Sequence, residues 1–237
     1  MTSSIEQIVA PIFDFSNTPL ANDYKGFYVK VLDDVFTPEE CDELIALAES
    51  DQEWAQAAVH YGLLPNQNRV DIDYRNSLRI LRFDHEAADK IYRRLLPYIQ
   101  ELVKIEAGGE WEGVVGRKGR VEGTWDLVGV NERLSFLRYE NGHYFRPHCD
   151  GQLELPDGRC ARATLQIYLG DDGVKGGATR ILGPKGRYVD IEPKKGRVLI
   201  FQQRGLAHSG EDVIEGVKYT LRSDFMYRVT YPDDLEE

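Results

Sequence analysis

Two regimes of hydrophobic patterning divide the chain. In the first, apolar residues recur at both helical and strand spacing. The run Gly26-Phe27-Tyr28-Val29-Lys30-Val31-Leu32 predicts a strand. Thr37-Pro38-Glu39-Glu40 then predicts a helix start: Thr37 caps, Pro38 fits the first turn, and Glu40 completes a capping box. Cys41, Leu44, Ile45 and Ala48 come next at helical spacing and predict one buried stripe. Leu78 to Phe83 reads as a strand. A longer helix is predicted from about Glu86 to Ile105, with Ile91, Leu95, Ile99, Leu102 and Val103 on one side and Pro97 interrupting it. Residues 51–76 are polar and irregular, and residues 106–124 read as a glycine-rich excursion.

From Glu132 to Tyr231 the pattern becomes short alternating or apolar segments separated by Gly, Pro and Asp clusters. The predicted strands are Arg133–Tyr139, His143–His148, Arg162–Leu169, Thr179–Leu182, Arg187–Ile191, Arg197–Phe201 and Val217–Val229. Regularly spaced short strands indicate a sandwich or barrel. The chain therefore reads as mainly β with N-terminal helices. It divides into an arm (1–25), one domain (26–231) and an acidic tail (232–237).

Composition narrows the partners. The 237 residues suffice for one substantial core. A net charge of −11, with no basic block, argues against nucleic acid or an anionic membrane surface as the main partner. Cys41, Cys149 and Cys160 are too few and too scattered for a disulfide framework. With no signal peptide or apolar span in view, the expected location is cytoplasmic.

Two strands carry a polar face. Arg162, Thr164, Gln166 and Tyr168 alternate with Ala163, Leu165, Ile167 and Leu169, and Lys218, Thr220 and Arg222 alternate with Val217, Tyr219 and Leu221. Such faces either meet water, as in any antiparallel sheet, or line a cleft inside a barrel. In the second case, long cations among Thr, Gln and Tyr suit a ligand bearing a carboxylate. Alternation alone does not choose.

The chemistry centres on His148-Cys149-Asp150 and the distant His208. On a strand, residues i and i+2 share a face, so His148 and Asp150 can reach one ion while Cys149 points away. A lone H-x-D is common and usually means nothing. With a second His, the set becomes two imidazoles and one carboxylate on one face of an octahedron, which suits non-haem Fe(II) and dioxygen.

The spacing Tyr139-x-x-Gly142-x-x-Phe145-x-x-His148-x-Asp150 resembles the metal-site signature of the prolyl 4-hydroxylase-like dioxygenases dependent on 2-oxoglutarate and Fe(II). Towards the C-terminus, five further segments resemble the same family and come in its order: Tyr168-Leu169, Gly176-Gly177-Ala178-Thr179, Lys195 through Phe201, His208-Ser209-Gly210 and Gly216 through Tyr219. Phe27 through Ala48 is similar to the family's opening strand and helix, so the resemblance covers about residues 26–229.

The resemblance implies a double-stranded β-helix, a jelly-roll or cupin-like barrel buttressed by helices. It implies Fe(II) on His148, Asp150 and His208, with 2-oxoglutarate as co-substrate and dioxygen as oxidant. Lys218 matches the anchor for the far carboxylate of 2-oxoglutarate, with Arg222 as an alternative anchor, and Tyr139, Tyr168 and Thr179 match positions that help hold it. Arg75 and Glu132 match substrate positions near the entrance, and Arg162 and Gln166 join them if they face inward. The implied activity is hydroxylation of an aliphatic C–H bond in an amino acid, small metabolite or protein side chain, with release of succinate and CO2. Two alternatives stand beside it. The same centre could give desaturation, epoxidation or ring formation, or the barrel could be a non-catalytic cupin-like metal-binding module.

Overall fold

The computed structural model describes residues 8, 10–60, 67–170 and 173–231. The predicted acidic tail lies outside them. The first helix, Pro38–Glu49, begins as its sequence dictates. Glu40 donates its backbone N–H to Thr37 Oγ1 at 3.2 Å, and Glu40 Oε2 accepts the Thr37 N–H at 2.9 Å. The second helical region breaks at Pro97. An α-helix spans His85–Leu95, a 3-10 turn spans Leu96–Tyr98, and a short helix spans Gln100–Val103. Its start lies one residue earlier than the pattern suggests, because Asp84 caps it by accepting the Ala87 N–H at 2.9 Å.

Two antiparallel sheets form the barrel. The larger runs, edge to edge, through Val29–Leu32, Val198–Gln202, Cys160–Gly170, Lys218–Thr230, Arg133–Tyr139, Leu78–Phe83 and Ala55–Gln56. The smaller runs through Tyr188–Ile191, Thr179–Leu182, His208–Gly210, Tyr144–His148 and Arg75–Asn76. The architecture is a double-stranded β-helix buttressed by helices. Several strands escape the sequence pattern, among them the short Ala55–Gln56 and Arg75–Asn76 in the stretch read as irregular. Thr124–Val130 is interrupted by Asp126 and Gly129, and Val213–Glu215 and His208–Gly210 are too short to show a period.

Both faces of the larger sheet are covered. Leu165, Ile167, Leu169, Val198, Ile200, Leu221 and Phe225 pack against the helices through Cys41, Ala88, Ile91 and Leu95. At one end of the barrel, Tyr168, Leu199 and Phe201 of the larger sheet meet Ile181 and Ile191 of the smaller one. Phe15, Leu20 and Tyr24 seal that end, so part of the predicted arm is packed into the core, and the Tyr24 hydroxyl donates to the Leu182 carbonyl at 2.5 Å. The polar faces of the two long strands do not meet water. Thr164 and Gln166, with Lys218, Thr220 and Arg222, line an internal cavity of about 960 Å³.

Gly196 makes the turn that delivers Val198–Gln202 to the sheet. Its φ is +81°, and a Cβ there would lie 2.2 Å from the Phe36 carbonyl oxygen. Its own carbonyl accepts the N–H groups of Val35 and Phe36. Gly196→Ala combines a left-handed backbone with a backbone clash, and is expected to cost about 2 kcal/mol or more. Chemical denaturation checks this, and an unchanged midpoint would contradict it.

Candidate active site

The open end of the barrel brings His148, Asp150 and His208 together. One ligand atom from each lies within 4.8 Å of the others. The strands that carry the imidazoles are neighbours in the smaller sheet, with His148 directly opposite His208. The register slips between Phe145 and His148. Pro147 falls there, and it cannot donate to the ladder. The strand ends at His148, so Asp150 arrives from the next loop rather than from an extended i, i+2 pair. Cys149 is exposed.

Each imidazole is oriented from behind. The Nδ1 atoms of His148 and His208 face the carbonyls of Arg146 and Leu206 at 2.8 and 3.2 Å. Protonated Nδ1 donors in those bonds leave both Nε2 lone pairs facing Asp150, at 3.9 and 3.8 Å. Those separations are too long for direct hydrogen bonds and leave room for a shared ion. Phe145 stacks on His148 at 3.7 Å between centroids, and Phe201 meets His208 edge-on at 4.8 Å. Burial, aided by the neighbouring His208, holds His148 down to about 3, so its ring is neutral and free to coordinate.

Asp150 is ionised. Burial alone would raise its carboxyl, but Arg222 leads the groups that draw it well below the usual range. Arg222 Nη2 lies 3.3 Å from Asp150 Oδ1, and the Thr164 hydroxyl donates to Oδ2 at 2.6 Å. Two neutral imidazoles and a fixed carboxylate are a donor set that fits Fe(II).

Deeper in the cavity wall lies Lys218, two per cent exposed. Its ammonium donates to the Gly177 carbonyl at 2.5 Å and faces the rings of Tyr139 and Tyr168 at 5.0 and 5.7 Å. No carboxylate among the described residues lies within ion-pair distance of it, and burial pushes it down to about 8. Gly177 permits this approach: its φ is +71°, and a Cβ there would press on Lys218 Cδ at 3.3 Å. Arg222, by contrast, is held by Asp150 and by Asp224 at 3.1 Å. The Thr179 hydroxyl oxygen accepts from Gln166 Nε2 at 2.8 Å and from the Tyr168 hydroxyl at 2.7 Å, which leaves its own proton to donate into the cavity. Thr220 Oγ1, also in the wall, has no partner among the described residues. A buried ammonium and two unspent hydroxyls fit the carboxylate end of 2-oxoglutarate.

The entrance is less uniform. Arg75 lines the cavity, stacked over Phe145 at 4.5 Å, with Nε donating to Ser77 Oγ at 3.1 Å. Glu132 lines it too, but both its oxygens are held by Arg159 at 2.7 and 2.9 Å. Arg162 does not reach the cavity. The register shifts between Ala161 and Ala163, and its guanidinium instead lies over Trp125 at 5.0 Å and pairs with Glu154 at 2.9 Å. Sequence reasoning assigned no role to Thr164 or Thr220. Their place on the same polar faces as Gln166 and Lys218 was the available signal.

Residues 134–223 match the family model described as the 2OG-Fe(II) oxygenase superfamily. The fold is similar to that of a Pseudomonas putida prolyl-4-hydroxylase, at 16% identity and a TM-score of 0.58, over 86% of this chain and 95% of that one. It is also similar to a viral collagen prolyl hydroxylase from Paramecium bursaria Chlorella virus-1, solved with 2-oxoglutarate, at 19% identity and 0.52, over 88% of this chain and 100% of that one. A Trichoplax adhaerens prolyl hydroxylase, solved with a hypoxia inducible factor peptide, is similar at 17% and 0.50, over 87% and 85%. No curated protein matches the chain. At these identities the likeness is one of fold. The matched segment, residues 134–223, carries the two-histidine, one-carboxylate cluster and is a 2OG-Fe(II) oxygenase domain, the domain of an oxidoreductase that uses Fe(II), 2-oxoglutarate and dioxygen.

Proposed function

We propose that the enzyme hydroxylates an aliphatic C–H bond of an amino acid or other small metabolite, with a protein side chain as the less compact alternative. The observation that carries this reading is one cavity holding both the His148, Asp150 and His208 cluster and the uncompensated ammonium of Lys218. The fold's relatives include prolyl hydroxylases, which makes an amino-acid-like substrate a natural fit.

In this reading His148, Asp150 and His208 hold Fe(II). Bound iron supplies dioxygen activation coupled to oxidative decarboxylation of 2-oxoglutarate to succinate and CO2. The chain's own residues do the placing. Thr164 fixes the Asp150 carboxylate, and the Arg146 and Leu206 carbonyls fix the ring tautomers. Lys218 holds the far carboxylate of 2-oxoglutarate, with Thr179 and Thr220 donating beside it. Tyr139 and Tyr168 wall the ammonium from water. Arg222 is occupied by two carboxylates and serves to hold Asp150 rather than the co-substrate. Arg75 stands at the substrate side of the cavity.

The test is direct. Anaerobic protein with Fe(II) and 2-oxoglutarate should develop a weak visible charge-transfer band, and a panel of amino acids and small acids should release succinate. Product mass then separates hydroxylation, which adds one oxygen, from desaturation, which removes two hydrogens. A folded protein that shows neither band nor succinate would overturn the proposal.

The Lys218 assignment also fixes a pH dependence. The ammonium form is required, and it is lost as pH rises through about 8. Affinity for 2-oxoglutarate should therefore be flat below that value and weaken above it, by up to about tenfold per pH unit. Calorimetric titration between about pH 7 and pH 9 reads this, with Lys218→Arg as a pH-insensitive control. A constant affinity in the wild type would exclude Lys218 as the anchor.

A further inference from the structure

The cavity holds more positive charge than iron chemistry with 2-oxoglutarate explains. Arg79 and Arg133 face it from neighbouring strands, where the register pairs Arg79 with Leu137 and Phe83 with Arg133. Neither guanidinium has an ion pair or hydrogen bond among the described residues. Arg75 approaches from the opposite sheet, where it pairs with Phe145, and its guanidinium, bonded to Ser77, has no carboxylate partner among the described residues. Burial lowers all three, and the mutual repulsion of the guanidinium groups pushes Arg79 further, to about 10.

Glu132 does not relieve this charge, because Arg159 already neutralises it. Asp224 does not relieve it either. Its carboxylate is taken up by Arg222 at 3.1 Å and Gln203 at 2.8 Å. With Glu132 cancelled by Arg159 and Glu154 by Arg162, the wall's Arg75, Arg79, Arg133, Lys218 and Arg222 stand against Asp150 and Asp224, both already engaged by Arg222, which leaves a surplus of three cations. The dianion 2-oxoglutarate offsets no more than the two charges that Fe(II) brings. Buried or half-buried cations without an anionic partner are costly, and a fold retains them where a ligand supplies the missing charge.

We infer that Arg75, Arg79 and Arg133 form an anion-binding subsite, and that the substrate is a small organic acid held there by a carboxylate or phosphate group. This rests on the function proposed above and names its substrate class. The subsite is adjacent to the metal centre, because Arg75 stacks on Phe145 and Phe145 on His148. The carbon to be oxidised therefore lies a few bonds from the anionic group.

Inorganic sulfate and acetate are the probes, titrated calorimetrically into the protein loaded with Mn(II) and 2-oxoglutarate, which occupy the metal centre and Lys218. One anion should bind per chain. The double variant Arg79→Gln/Arg133→Gln should weaken that binding at least about tenfold while its 2-oxoglutarate affinity stays within about twofold. Preference for sulfate points to a phosphate-like group, and preference for acetate to a carboxylate; either upholds the subsite. Equal anion affinity in variant and wild type, or no binding to the wild type, overturns it and leaves the oxygenase reading standing. Arginine-dependent anion binding without 2-oxoglutarate binding would do the reverse. Should the variant fail to fold, the wild type decides. Saturable thermal stabilisation by sulfate, beyond that of sodium chloride at matched ionic strength, upholds the site, and its absence overturns it.

Discussion

Asp150→Asn is expected to end 2-oxoglutarate turnover and to weaken iron binding by more than about 100-fold, beyond what loss of an outer-shell partner costs. The substitution keeps the shape. The Thr164 hydroxyl, 2.6 Å from Oδ2, can still donate to the amide oxygen. What disappears is the one anionic donor of the cluster, and with it the charge that draws Arg222 inward. Arg222 retains Asp224, so the wall does not collapse. The sign of the stability effect comes from the carboxyl's depressed pKa. Asp150 contributes stability above the ordinary carboxylate value and loses it as pH falls through its lower folded value. The variant should therefore be less stable than the wild type at neutral pH and should converge with it in acid. Calorimetric titration with Mn(II), succinate assay and thermal melts at two pH values read the three outcomes. Wild-type metal affinity in the Asn variant would remove Asp150 from the ligand set.

The fold was legible where period and punctuation agreed. Arg133–Tyr139 and Thr179–Leu182 were read to the residue, and the capping box at Thr37 and the break at Pro97 were both visible. The metal cluster was legible because the spacing and order of its motifs resembled those of a known family, whose model matches residues 134–223. Elsewhere alternation was silent, because it reports two faces but not what covers them. The Thr164 and Lys218 faces looked as much like solvated surface as like a cavity wall, and only the second sheet decided. Arg162 was misplaced for a related reason. A bulge at Ala161–Ala163 carries one residue out of the alternation, and no local sequence signal marks it. Arg79 and Arg133 stood in plain view on predicted strands. What sets them apart is that their guanidinium groups have no partner among the described residues, which is a property of three dimensions.

Lys218→Met is expected to give a protein that binds 2-oxoglutarate about 10–100-fold more weakly, or worse, and that melts higher than the wild type. The two effects have one cause. The ammonium is two per cent exposed, has no described carboxylate beside it, and is pushed from 10.5 to about 8 by burial. A lysine whose folded pKa lies below its unfolded one destabilises the fold below the folded value, and the penalty fades as pH rises from about 8 toward 10.5. At neutral pH the charge costs on the order of 3 kcal/mol, offset in part by its hydrogen bond to Gly177. Met fills a similar volume without the charge, so a rise in melting temperature of a few degrees is expected, shrinking as pH approaches the unfolded value. A merely structural lysine would behave oppositely, since its loss would lower the melting temperature and leave co-substrate affinity alone. Paired melts and 2-oxoglutarate titrations of the two proteins at neutral and alkaline pH separate these outcomes, and a Met variant that melts lower yet binds 2-oxoglutarate normally would transfer the anchoring role to another cation of the wall.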